Sequence, residues 1–263
     1  MATISTIMRG GSRLYVNPET RIKVPGVTSI IGMLPQDFLR YWEAKMVAEA
    51  AVNNIGSLVG LVLNDQAGAV DYLKGAARRY TRQRADIGSA AHDVFERLAR
   101  GEDVRRVGPD IEPYRRHFSE FLDKVQPEFL RLEDIAWSDQ HAYAGSFDAI
   151  AKVDGELCVL DWKTSKATYP NVSLQLTAYA RADKIVDAEG IEHPMPEINA
   201  GAVLHVTPEA WALKPVEVSD RVFDHFLALR QTFQWDREIS KEVLGKPVAS
   251  GGALVTGTER RAK

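Results

Sequence analysis

The sequence predicts a mixed α/β fold, a β-sheet core flanked by helices and covered by a helical N-terminal layer. Three observations carry this. Apolar residues keep a helical period from Thr28 to Arg100, the pattern changes to strand-like runs from about residue 134, and Asp154-Gly155 separates two such runs as a hairpin turn would. Helices followed by a strand hairpin, a further helix and more strands is the order of an α/β core.

The elements follow in order. Residues 12–25 alternate around Asn17-Pro18-Glu19-Thr20 and predict a short hairpin. The helical stretch 28–100 is divided near Pro35, Asn53 to Gly56 and Asn64 to Gly68, and its last segment stops at Gly101. Phe118, Phe121, Leu122, Val125 and Phe129 fall at spacings of three and four, predicting a helix over Pro113 to Leu130 that Pro127 kinks or ends early. Strands are expected over 134–153 and from Glu156 to Thr164, then a helix over Asn171 to Asp183. Strands over 200–206 and 211–218 and a long helix from Asp220 to Val243 close the fold. One domain over 1–244 is expected, with its helical region at about 28–130 and its sheet core at about 134–218. Residues 245–263, rich in Gly, Ser and Thr without periodicity, predict a flexible tail.

Charge proposes no partner: 33 Lys and Arg stand against 36 Asp and Glu over 263 residues, a net charge of −3. That balance excludes a disordered polyelectrolyte, and 45% hydrophobic content is enough for a packed core. The single cysteine, Cys158, excludes an intramolecular disulfide framework and a self-contained four-cysteine zinc or iron-sulfur site. The longest aliphatic stretch, around Leu58 to Leu63, is far short of the ~20 residues that span a membrane, so a soluble, cytoplasmic chain with no membrane partner is expected.

The chemistry concentrates around the central hairpin. Asp148 and Asp161 flank the Asp154-Gly155 turn, so pairing of the two strands brings both carboxylates into one region of the sheet. Lys163, two residues after Asp161, shares its face, and Trp162 takes the other. Two hard oxygen donors suit Mg²⁺ or Mn²⁺. An Asp-x-Lys triplet by itself is weak, and Glu43-Ala44-Lys45 is a match with nothing around it. Asp161, however, closes the apolar run Leu157 to Leu160, where a charge needs a partner or a metal. Gln175 and Tyr179 share one helix face, and Gly88, His92 and Glu96 form a row of their own. Glycine one turn before His92 admits a close neighbour. Between Leu73 and Arg84 lie five basic residues and no acid, among them Arg78, Arg82 and Arg84. This run reads either as a phosphate-binding groove or as a solvated helix face. Tyr80 and Trp162 read either as base-stacking or as core residues.

Five segments in order resemble the PD-(D/E)XK nuclease superfamily, in its RecB-like exonuclease branch. They are Val24-Pro25-Gly26-Val27-Thr28-Ser29-Ile30-Ile31 followed by Trp42; Gly88 to Glu96; Gly145-x-x-Asp148; Asp161-x-Lys163-Thr164; and Gln175-x-x-x-Tyr179, over roughly residues 20–182. The resemblance is to phage-encoded, mitochondrial-maintenance-type and CRISPR-associated members. It implies a restriction-endonuclease-like sheet core and a metal held by Asp148, Asp161, His92 and the backbone carbonyl of Trp162. It further implies that Lys163 orients or deprotonates the attacking water, that Gln175 and Tyr179 position Lys163 and the DNA backbone, and that Thr164, Ser165 and Lys166 contact phosphates. Glu96 stays open between a second metal, a hydrogen bond to His92 and solvent. Some relatives carry a four-cysteine iron-sulfur cluster; a chain with Cys158 alone is expected to be cluster-free. The activity implied is Mg²⁺/Mn²⁺-dependent DNA exonuclease on single-stranded or end-bearing DNA, in recombination, replication or repair in a bacterial cell or phage-infected host. A recombination or replication protein partner stays unidentified. The alternatives are a structure-specific or restriction-like endonuclease on the same fold, and a DNA-binding protein that does not cleave.

Overall fold

The computed structural model describes residues 3–35, 37–249 and 251–252; residues 250 and 253–263 of the expected tail lie outside them. Strands β1 (Ser5–Arg9), β2 (Ser12–Val16) and β3 (Lys23–Pro25) form a small antiparallel sheet. The expected hairpin is β2 and β3, paired from Leu14↔Pro25 to Val16↔Lys23. Helices α1 (Val27–Ile31), α2 (Asp37–Asn53), α3 (Ile55–Asn64), α4 (Gln66–Lys74) and α5 (Ala76–Ala99) make the helical layer; the three expected breaks are present, and a fourth, at Gly75 between α4 and α5, was not expected. Helix α6 (Glu112–Val125) stops before Pro127 rather than reaching Leu130. Gln126 takes a left-handed conformation (φ 50°) as its cap, and Phe129 and Leu130 enter strand β4 (Glu128–Leu132).

The expected strand run over 134–153 is three strands, β5 (Ile135–Ser138), β6 (Tyr143–Ser146) and β7 (Ala149–Val153), followed by β8 (Glu156–Lys163). Helix α7 (Val172–Ala180), short strands β9 (Lys184–Val186) and β10 (Glu192–Pro194), strands β11 (Ala200–Val206) and β12 (Trp211–Glu217), and helix α8 (Asp220–Arg237) complete the chain. Helix α8 ends at Arg237, six residues short of the expected Val243, and a 3-10 turn follows over Ile239–Lys241.

The central sheet has five strands in the order β12-β11-β8-β7-β4. β8 and β11 run parallel and the other pairs antiparallel, so the sheet is mixed. A four-stranded antiparallel sheet, β10-β9-β5-β6, stands beside it. The two faces of β8 separate the core in two. Cys158, Leu160 and Trp162 pack with Ala91 and Phe95 of α5 and with Phe118 and Phe121 of α6. Val159 packs on the opposite face with α1, α7 and α8. Trp162 is fully buried, its ring edge-on to Phe118 at 5.2 Å, which settles its two readings in favour of core. No single helix among the described residues is long and apolar enough to cross a membrane.

Phe118 stacks on Phe95 at 4.4 Å and is fully buried, tying α5 and α6 to the sheet through Trp162. Phe118→Ala is expected to lower the unfolding free energy by about 3–5 kcal/mol in urea titration; a loss below about 1 kcal/mol would mean that this aromatic layer does not hold the helices to the sheet.

Candidate active site

The β7–β8 hairpin sets the site. Asp154 and Gly155 both have positive φ (50° and 83°), the two-residue turn whose twist matches the flanking strands. Pairing runs from Val153↔Glu156 to Ala149↔Leu160, so Asp148 arrives beside Asp161 at the open end of the pair. The backbone N–H of Trp162 donates to Asp148 Oδ2. Asp161 is 3% exposed. Lys163 Nζ stands 2.5 Å from Asp161 Oδ2 and pairs its charge with that buried oxygen. Gln175 on α7 clamps the pair: its amide nitrogen donates to Asp161 Oδ1 (2.8 Å) and to Tyr179 Oη (3.1 Å), and its carbonyl oxygen accepts from Lys163 Nζ (3.3 Å).

Both glycines singled out in the sequence mark close approaches. A Cβ on Gly145 would stand 2.6 Å from the Tyr179 ring and 3.1 Å from Val27, so glycine there makes room for the tyrosine against β6. A Cβ on Gly88 would stand 3.2 Å from Thr164 Oγ1, which brings the end of β8 against α5. One turn on, His92 Nδ1 lies 3.7 Å from Asp148 Oδ1. Glu96 is instead held by Arg100, at 2.9 and 2.8 Å, and makes no hydrogen bond to His92.

The basic run is divided. Arg78 and Arg82 line a groove between α5 and α2 with Trp42 and Glu43. Arg84 lies over the Tyr80 ring (5.7 Å), which is edge-on to Trp42. Arg84 and Lys166 both pull the Tyr80 hydroxyl below its usual pKa, so Lys166 stands near this helix. Ser165 turns inward on its own loop: its hydroxyl donates to the Ala167 carbonyl, and its carbonyl pairs with His205 Nε2. Glu43-Ala44-Lys45 is solvent-exposed on α2, with Lys45 paired to Glu49.

Two residues escape the sequence reading. Tyr15, buried on β2, accepts at its hydroxyl from the Ser146 backbone N–H (3.0 Å) and so braces the link between Gly145 and Asp148. Glu133 joins β4 to β5 with positive φ, and its N–H donates to the Asp148 carbonyl. Burial, with Asp148, Glu96 and Asp161 nearby, pushes its carboxyl up to about 8. No periodicity or spacing marks either one.

Burial pushes Asp148 up to about 6. Burial and the adjacent Asp148 do the same for Asp161, against the pull of Lys163. Burial holds His92 below its usual value, favouring the neutral imidazole that ligates metals. These donors, two carboxylates and a neutral imidazole, suit a divalent cation in type. As they stand, no three His, Cys, Asp or Glu side chains among the described residues converge closely enough to hold one. The Lys163 ammonium already sits on Asp161 and the Trp162 N–H on Asp148.

These shifts have a definite sign. Asp ionises near 4 in an unfolded chain and at about 6 here. Between those values the folded state binds more protons, so its stability falls as pH rises from about 4 through about 6 and stays lower above. Asp148→Asn keeps an oxygen for the Trp162 N–H and removes one such charge. It is expected to raise the unfolding free energy by about 1–3 kcal/mol at pH 8 and to leave it unchanged at pH 4. A variant less stable than the native protein at pH 8 would contradict the electrostatic reading.

No family description matches the sequence. The chain is similar to the mouse (Mus musculus) protein mitochondrial genome maintenance exonuclease 1, at 26% identity over 178 residues, 63% of this chain and 46% of that protein. It therefore spans under half the length of that curated relative. Among solved structures, an alkaline exonuclease from Laribacter hongkongensis superposes with a TM-score of 0.36 at 10% identity, over 59% of this chain and 80% of that one. The protein SSO0001 superposes with a TM-score of 0.31 at 16% identity, over 46% and 55%.

Proposed function

We propose that this chain is a Mg²⁺/Mn²⁺-dependent deoxyribonuclease of the PD-(D/E)XK type that hydrolyses phosphodiester bonds near the ends of single-stranded DNA, in phage or bacterial recombination, replication or repair. The observation that carries the reading is the pair of Asp161, buried, and Asp148, half-buried, side by side at the mouth of a hairpin, both pushed up to about 6 and flanked by one lysine and one imidazole. A protein does not keep two desolvated acids together for stability. The similarity to an exonuclease over 178 residues supports the same reading.

In this reading Asp148, Asp161, His92 and the Trp162 carbonyl would hold the cation, drawn closer together than they stand here. It would supply Lewis-acid polarisation of the scissile phosphate and a water of lowered pKa, from about 15.7 toward ~7. The remaining work belongs to the chain. Lys163, held by Asp161 and the Gln175 carbonyl, presents its amine to the attacking water. Tyr179, its hydroxyl kept protonated by burial and by Asp161, fixes Gln175 and so the lysine. Thr164 and Lys166 face the α5 side, where Arg78, Arg82 and Arg84 offer charge to the phosphates.

Asp161→Ala and Lys163→Ala are each expected to lower Mn²⁺-dependent cleavage of a labelled single strand by at least about a hundredfold while the strand still binds. Cleavage retained by purified Asp161→Ala would sink the assignment. A circular single strand is expected to survive; its linearisation would move the reading to the endonuclease alternative.

Arg78→Glu combined with Arg82→Glu is expected to weaken binding of the strand and to flatten its dependence on salt. An unchanged salt slope would return these arginines to a solvated helix face.

A further inference from the structure

A groove of about 800 Å³ opens on the same sheet face as Asp161, outside the site described above. Its position follows from strand register. Val203 pairs with Asp161 across the parallel β8–β11 pair, and Lys214 pairs with Val203 across β11–β12. Directly paired neighbours point to the same face, so Asp161, Val203 and Lys214 form one row, with Lys214 about 10 Å from Asp161, two strand spacings away. The stretch Lys163 to Asn171 runs from the site to the rim of the groove, with two lysines and no acid.

The lining is of two kinds. Leu34, Val172, Leu174, Val203, Val216 and Val222 make an apolar floor. At the rim are Tyr169, 57% exposed, and the cationic side chains Lys214 and Arg221 with His225. Glu217 is the acid there, and it is already neutralised: Arg221 grips it at 2.7 and 2.5 Å, and the Ser219 hydroxyl donates to it, holding its carboxyl down to about 2. The Lys214 ammonium, in contrast, is exposed and has the Thr168 hydroxyl (3.0 Å) as its partner, which leaves its charge uncompensated.

We infer that this groove is a nucleotide subsite for the strand whose scissile phosphate lies at Asp148 and Asp161: a base lies on the apolar floor against the Tyr169 ring, and Lys214 meets its phosphate. An apolar slot with an exposed aromatic and an uncompensated cation at its rim matches the two halves of a nucleotide. A peptide paired along the outer edge of β12 would use neither Tyr169 nor the charge of Lys214. The inference rests on the nuclease reading, and it adds where the strand runs: toward β12, across the loop after Lys163, and not along α5 alone.

Tyr169→Ala and Lys214→Ala test it, since both side chains are exposed and neither touches the carboxylates. Each is expected to raise KM for a single-stranded oligonucleotide about tenfold, with kcat within twofold of native. Tyr169→Phe, which keeps the ring, is expected to match the native protein. Cleavage of bis(p-nitrophenyl) phosphate, a diester too small to reach from the carboxylates to the groove, is expected to be unchanged in all three. An unchanged oligonucleotide KM, or an equal loss on the small diester, overturns the subsite while leaving the nuclease reading intact. A native protein that cleaves neither substrate overturns both. A peptide occupant would show as oligonucleotide kinetics insensitive to either substitution, and so counts with the first outcome.

Discussion

The register of one hairpin governs this molecule. Asp154-Gly155 is a turn of two left-handed residues, and it locks β7 to β8 so that Asp148 and Asp161 meet at the far end. A slip of one residue would send Asp161 into the layer of Phe118 and Trp162 and bring Trp162 out to α7, because side chains alternate along a strand. That slip is opposed by the whole aromatic layer on one side and the Gln175 clamp on the other. The desolvation that pushes both carboxyls up to about 6 is therefore maintained by packing that stabilises the fold by other means.

The surrounding elements are arranged around that constraint. Gly145 lets Tyr179 lie against β6, Tyr179 fixes Gln175, and Gln175 holds both Asp161 and Lys163. On the other side Gly88 lets α5 close on Thr164, which carries His92 to Asp148. Tyr15, from a separate small sheet, braces Ser146 between them. Glu133 adds a further half-buried acid behind Asp148, and burial with the neighbouring acids pushes its carboxyl up to about 8.

Much of this was legible in the sequence because it depends on local signals. The Asp-Gly turn, the alternation along β8 and the four-residue rows Gly88–His92 and Gln175–Tyr179 each have a short-range signature. What was not legible depends on contacts made far along the chain. β1 is exposed at all five positions and so shows no inside-outside pattern, and β9 and β10 are three residues each, too short for a period. The end of α6 is set by a left-handed Gln126, a residue with no strong preference for that role. Trp162 had two readings until the packing of Phe118, Phe121 and Phe129 around it was visible. Glu133 acquires its unusual carboxyl only from neighbours supplied by three other elements.

Calorimetric titration of Mn²⁺ into the native protein and into an Asp148→Asn, Asp161→Asn double variant at pH 7.5 tests whether the acid pair holds a divalent cation. Saturable binding by the native protein that disappears in a folded double variant is the expected result. Equal binding by both proteins, or none by the native protein under conditions where it cleaves DNA, would contradict it.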